Sequence, residues 1–562
     1  MKAPEGIPGG IVTLRRVFAA LSALALTGCF VDSRAKTYYE SGAKTYYVST
    51  NGRDERSGTS IEEAWRTLAP VNRMSFRPGD RVLLEGGATF SGSIELGADD
   101  CGTAAAPVVI SSWGEGRATI HSGNGKAFEA HNCGGVELRN LRFQGSGLAT
   151  NSASGVGFWT DLPGGVKLEH IRIDRVEIDG FGGVGLYIGS NGSGRSGYRD
   201  VRITRVDIHH NGRDGFFTWG EYTTVADAPH SHEDLYVGYS RFHHNPGRLN
   251  KNEGSGLYLK DVAGAMIEYC EAYENGATGG MPGGGGPVGI WVLQSRNVTI
   301  QFNESHHNHS AGAYDGGGFD LDGGATQAFV QYNYSHDNDG PGYQVVGAAW
   351  GRPSRDNSIR YNISENDARK HHGAIAIWSD AARPVADTDF YNNTVFLGGE
   401  GGVSGVTQEG GPISRVRFFN NIFLVRGDRP LVVASNPTGL AFRGNAYHVS
   451  GGRFRVVWGG VTYDTLSRWR ASGQERLDGS DVGHELDPEL SDPGNGSTIG
   501  DPTSLATIKA YELRPASPLI DAGLNPRVLF GVDPGRRDFF GNQIPQGNAY
   551  DVGAHERPMD VR

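Results

Sequence analysis

The stretch Phe329-Val-Gln-Tyr-Asn-Tyr-Ser-His-Asp-Asn338 holds the unit from which most of this chain is built. A short apolar and aromatic run ends on Asn333, and a second short strand pattern ends on Asn338. The first Asn recurs at Asn303, Asn333, Asn362, Asn393, Asn421 and Asn445, at spacings between 24 and 31 residues. The second recurs at Asn211, Asn245, Asn275, Asn308, Asn338 and Asn366. An Asn side chain can bond its own backbone and the amide stacked above or below it, which holds a bend at one point of every repeat. Self-similarity at this period marks a solenoid, with three short strands per coil and neighbouring coils paired in parallel.

Composition agrees. Of 562 residues, 86 are Gly, and apolar residues make up 37%; such a chain turns tightly every few residues and reads as all-β. The net charge of −11 speaks against nucleic acid as a partner.

After each second-series Asn comes a loop, a small residue and a strand. Stacked in order, these strands begin at Leu186, Phe216, Leu257, Ile290, Phe319, Tyr343 and Ile375. Side chains alternate across a strand, so the first and third residues of each row form core columns and the second and fourth face out. One outward column reads Tyr187, Phe217, Tyr258, Trp291, Asp320, Gln344, Ala376; the other reads Gly189, Trp219, Lys260, Leu293, Asp322, Val346, Trp378. Two features stand out. Exposed rings stacked about 4.8 Å apart suit the apolar faces of sugars, which makes Trp219, Tyr258, Trp291, Gln344 and Trp378 candidate substrate contacts; a second core under folded-over loops is the alternative. Asp320 and Asp322 share a face and repel each other, which points to a bound cation or to acid–base work. Asp315 lies on the preceding Gly-rich loop.

The repeat resembles the right-handed parallel β-helix of pectate lyases and related polysaccharide enzymes, over roughly residues 80 to 460. The resemblance implies a solenoid over 81–460 with an N-terminal cap over 46–80 and an irregular C-terminal extension and cap over 461–562. Ser60-Ile-Glu-Glu63 reads as the start of a capping helix that places Trp65 and Leu68 on the open core. Ser517–Gly523 and Asp551–Glu556 look like the terminal cap of bacterial members. At the other end, Arg15 and Arg16 precede an apolar run too short to span a bilayer. The following Leu26-Thr-Gly-Cys29 resembles the bacterial lipobox. That implies a signal peptide over 1–28, lipidation of Cys29, a tether over 29–45, and an exported monomer anchored to the cell envelope. Cys101 and Cys133 are placed to pair in an oxidising compartment, whereas Cys270 reads as a buried thiol.

Three functions fit these residues. In the first, Gly-Leu-Tyr-Leu-Lys260 resembles the catalytic-lysine strand of one pectate-lyase family, and Asp315, Asp320 and Asp322 resemble its calcium ligands. Ca²⁺ suits hard carboxylate oxygens and would acidify the proton that Lys260 removes from a uronate polysaccharide. Here the lysine lies two coils from the aspartates rather than one, and an adjacent Asp-Asp is missing. In the second, Asp322 donates a proton and Asp320 activates water, as in polygalacturonase-like hydrolases, although the Asn-Thr-Asp and Arg-Ile-Lys motifs are not found. In the third, the aromatic face only binds glycans at a surface. Elimination is the first expectation. The His pairs 209–210, 243–244 and 306–307 recur with the turn and read as structural, while His309 breaks that register and is a catalytic candidate. His371 and His372 are candidate bases. Lys251, Lys260, Arg352, Arg355 and Lys370 supply the positive charge a uronate needs.

Overall fold

The computed structural model describes residues 42–399 and 403–558. The segment 1–28, Cys29 and most of the 29–45 tether lie outside the described residues. The chain winds as a parallel β-solenoid. One sheet of fourteen strands runs along one flank, and a 27-stranded sheet wraps the others. Parallel pairing starts with Thr45–Val48 on Arg81–Glu85 and ends with Ala446–Ser450 on His484–Glu485. The 14-stranded sheet ends in an antiparallel pair, Val456–Trp458 with Val461–Tyr463.

The expected register holds throughout the seven rows. Leu186 pairs with Phe216, Phe216 with Leu257, Leu257 with Ile290, Ile290 with Phe319, Phe319 with Tyr343, and Tyr343 with Ile375. All of these are buried in one continuous core.

The Asn ladders bond as a chain of amides. Asn303 Nδ2 donates to Asn333 Oδ1 at 3.0 Å, Asn333 to Asn362 at 3.1 Å, and so on to Asn445, where Glu475 takes the next place. In the second ladder, Asn338 Nδ2 donates to Asp367 Oδ1 at 2.7 Å. The expected Asn366 is therefore one residue out of register. Its own amide oxygen instead accepts from Gly398 and Gly399.

The N-terminal cap forms without the expected α-helix. Trp65 extends alongside Thr45–Val48, accepting from Ser49 N–H at 2.8 Å and donating to Tyr47 O at 2.9 Å. Those strand-like bonds compete with a helical turn, so residues 60–68 make turns and only Val71–Arg73 is a 3₁₀ helix. Trp65 and Leu68 still plug the core. At the far end the plug is Leu466 and Trp469 of the helix Leu466–Arg470. Ser517–Gly523 and Asp551–Glu556 pack instead on the flank: Val552 N–H donates to Leu519 O, and Gly553 N–H to Asn420 O. Cys101 and Cys133 are joined in a disulfide with Cα atoms 5.2 Å apart, and Cys270 is free and buried.

Candidate functional site

The strand Phe319–Asp322 sits mid-way along the 14-stranded sheet, and its neighbours decide what its carboxylates meet. Trp291 pairs with Asp320 and Asp320 with Gln344 in one outward column; Lys260 pairs with Leu293 and Leu293 with Asp322 in the other. Pairing with the next coil stops at Leu321–Val345, one residue short of Asp322. Asp322 therefore stands at the edge of regular sheet, where its Oδ1 accepts from the Gly323 N–H at 2.5 Å.

The three aspartates experience different surroundings. Asp320 is 3% exposed and its Oδ1 has no hydrogen-bond partner among the described residues. Burial, then the charges of Asp322 and Asp315, push its carboxyl well above the usual range. Burial also raises Asp322, to about 7, against the pull of the Gly323 N–H. Asp315 is raised by burial, but two donors oppose this: Gly286 N–H at 2.6 Å on Oδ2 and Gln344 Nε2 at 3.0 Å on Oδ1. Asp315 adopts φ +62°, the left-handed turn that brings its side chain back over the sheet.

Asp315 and Asp322 open into a cavity of about 440 Å³, together with Gln344 and Trp378; Asp320 is not among the lining residues. The walls come from loops. Tyr314 stacks on His372 with ring centres 5.4 Å apart, and His372 Nδ1 lies 3.2 Å from Glu409 Oε2. Trp350, half exposed, closes another side and meets Tyr222 edge-on at 6.2 Å. The cavity carries acids, aromatics and a histidine, and among the described residues its lining contains no Lys or Arg.

The remaining sequence candidates are dispersed. Lys260 is 6% exposed, and its ammonium lies 3.2 Å from the centre of the Tyr222 ring. Burial pulls its pKa down to about 8. Tyr258 and Trp291 stack on each other at 3.7 Å, and Trp291, with Val288 and Leu293, forms a small second core. Trp291 is buried, with its indole N–H on Ser255 Oγ at 2.9 Å. Trp219 lines a separate groove several coils toward the N-terminus. His309 is held between Asp339 and Glu274, which raise its pKa, and does not line the cavity. His371 Nε2 is buried with no hydrogen-bond partner among the described residues. The recurrent histidines form a stack on another flank, running His209, His243, Tyr273, His306, His336 at 4.6–5.1 Å. Several charges expected to meet a substrate are spent internally. Arg352 donates to the carbonyls of Ala226, Ala228 and Pro229, and Lys370 pairs with Asp339. Tyr222, Tyr314, Trp350 and Glu409 were not singled out from sequence: the first three arrive on loops, and Glu409 belongs to a row beyond those aligned.

Calcium fits the donor chemistry of the three aspartates, whose carboxylate oxygens are hard ligands. Among the described residues, the acidic and histidine groups whose ligand atoms converge within 4.8 Å lie along the histidine stack, and the trio is not one of them.

A model of the right-handed β-helix region family matches residues 165–447, half of the chain. The chain belongs to this family. A curated relative, lacto-N-biosidase from Bifidobacterium longum subsp. longum, is 25% identical over 510 aligned residues, covering 72% of this chain and 30% of that protein's length. This β-helix chain thus spans under a third of that relative. The crystal structure of the GH136 lacto-N-biosidase from Eubacterium ramulus superposes with a TM-score of 0.50 at 17% identity, over 72% of this chain and 68% of that one. Pectate lyase Pel9A gives a TM-score of 0.39 at 16% identity over 92% and 97%.

Proposed function

We propose that this β-helix protein is a glycoside hydrolase acting on a neutral glycan, with Asp322 and Asp315 as its catalytic carboxyls. The observation that carries the reading is the cavity itself: two aspartates with different surroundings, and Glu409 paired to His372, face one aromatic-walled space that no Lys or Arg lines among the described residues. Glycosidic hydrolysis needs one carboxyl that gives a proton to the leaving oxygen and one that attacks, or activates water, as charge develops on the sugar. Asp322, near 7, has the proton to give at neutral pH. Burial raises Asp315 too, but two donors on its carboxylate favour its ionised form, which suits it to attack or to activate water. Environments that push paired carboxyls apart are how such roles are divided. Asp320 is buried next to them on the same strand as Asp322, and burial with the charges of Asp322 and Asp315 favours its protonated form, which limits negative charge near the substrate.

The lacto-N-biosidase name of the curated relative supports hydrolysis over elimination. Elimination on a uronate would need positive charge opposite the sugar carboxylate, and among the described residues no Lys or Arg lines the cavity. Lys260, the base that reading requires, is covered by Tyr222. Trp378 and Trp350 are the ring faces offered to the substrate. The Cys101–Cys133 disulfide suits an exported protein, in keeping with a lipid anchor at Cys29.

The test is product chemistry on neutral and uronate glycans side by side. Hydrolysis gives new reducing ends, with no ultraviolet absorbance from an unsaturated sugar, and survives a chelator. An unsaturated product that disappears with chelator would replace this reading with elimination.

A further inference from the structure

The same sheet carries a second groove of about 500 Å³, lined by Glu129, Trp159, Tyr187, Arg213, Phe217 and Trp219 among others. Phe217 stands three coils from Asp320 through Tyr258 and Trp291, about 14 Å at the spacing of paired strands. It belongs to no part of the aspartate cavity.

Two glycines shape it. A Cβ on Gly157 would fall 1.9 Å from the Tyr187 ring, and one on Gly189 would fall 2.1 Å from the Trp219 ring. Both glycines occupy outward positions, paired with Tyr187 and Trp219 themselves. Each ring therefore lies down over the bare backbone of the preceding coil instead of standing out from the sheet. A ring laid flat on a sheet has one face left, and it points to solvent. Polar bonds fix the pose: the Tyr187 hydroxyl donates to Glu129 Oε2 at 2.7 Å, and the Trp219 indole N–H donates to Asn191 Oδ1 at 3.0 Å. Phe217 continues the floor, 5.9 Å from Trp219 and tilted by 29°; Tyr187 lies 5.4 Å from Trp219 at 36°. All three are only partly covered.

The charges around this floor are already paired. Lys126 Nζ lies 2.5 Å from Glu129, and Arg213 Nε lies 3.0 Å from Glu253. The groove thus presents aromatic faces with a rim of neutralised polar groups. That combination matches the apolar C–H face and the hydroxyl edge of an uncharged pyranose.

We propose that this groove is an accessory binding site for a neutral glycan, with Tyr187, Phe217 and Trp219 as its floor, distinct from the catalytic cavity. Its position on the same sheet face lets one long or branched glycan occupy both. The proposal concerns binding and does not require that the aspartates hydrolyse.

The test uses Asp322→Asn protein, so that turnover is not a confounder, and follows tryptophan fluorescence on titration with cello-, xylo-, galacto- and N-acetylchito-hexaose. At least one is expected to bind. Trp219→Ala in that background should weaken binding about tenfold, the scale of a lost aromatic contact, and Trp219→Phe should recover part of it. Gly189→Val, which tips Trp219 off its seat without removing the ring, should weaken binding likewise, with circular dichroism unchanged. Binding that is equal in all four proteins, or absent for every hexaose, would overturn the proposal. Activity of the parent protein is measured separately, so loss of the hydrolysis reading and loss of this one are different results.

Discussion

Gln344 Nε2 donates to Asp315 Oδ1 at 3.0 Å, across one coil of the solenoid. The bond links the strand after the acidic one to the loop before it, and holds the Asp315 carboxylate toward its ionised form. Gln344→Leu removes that donor, so the Asp315 carboxyl should take up its proton at higher pH. The acid limb of the rate profile is expected to move toward neutrality and kcat to fall roughly tenfold, within the range of one displaced acid–base group. An unshifted acid limb would separate Gln344 from the chemistry.

Asp320 makes a prediction about stability. Its folded pKa lies well above the value of about 3.9 that it has when unfolded. Its contribution is therefore fully present below about pH 4 and declines as pH rises, because only the unfolded chain then gains by releasing the proton. Asp320→Asn removes that dependence with little change of shape. Its thermal midpoint should exceed the parent's at pH 8 and approach it at pH 4. An equal difference at both pH values would mean Asp320 is not held protonated.

His336 gives the complementary case. It is buried between Glu304 and Asp337, which bond its two ring nitrogens at 3.3 and 3.0 Å, and its pKa is raised to about 9 against the penalty of burial. The folded value exceeds the unfolded one of about 6.5, so the stabilisation is complete below about 6.5 and is lost as pH rises through about 9. The difference in melting between the parent and His336→Gln should be largest near pH 6, on the order of 3 kcal/mol at most, and should shrink by pH 9.5. A constant difference would mean the ring is neutral in the fold.

Much of this was legible in the chain because a solenoid repeats its reasons. A small residue before each row and alternating core positions fixed the register of seven strands, and that register placed Asp320, Asp322 and Lys260 correctly relative to one another. What faces a column was less legible. Tyr258 and Trp291 occupy outward positions, yet they stack into a second core because loops fold over them. Tyr187 and Trp219 occupy equivalent positions, yet lie flat, because Gly157 and Gly189 leave the room. Gly189 stands in the aligned columns, and reading it as a seat for the next ring was the available clue. The walls of the cavity were not legible. Tyr222, Tyr314 and Trp350 come from loops whose lengths vary from coil to coil, and no periodicity dictates where a loop tip lands. The same limit affected the roles of the acids. Spacing alone pairs Asp320 with Asp322, whereas the loop carrying Asp315 returns over the sheet, so that Asp315 joins Asp322 in lining the cavity, which Asp320 does not.

The central claim is that Asp315 and Asp322 hydrolyse a glycosidic bond as a pair, and the most direct measurement is turnover of a cleaved neutral glycan in isotopically labelled water. One labelled oxygen is expected at each new reducing end. Asp315→Asn and Asp322→Asn should each lose roughly a hundredfold or more in rate, and an aryl glycoside with a good leaving group should restore the first step in Asp322→Asn only. Full activity in either variant, or an unlabelled unsaturated product, would contradict it.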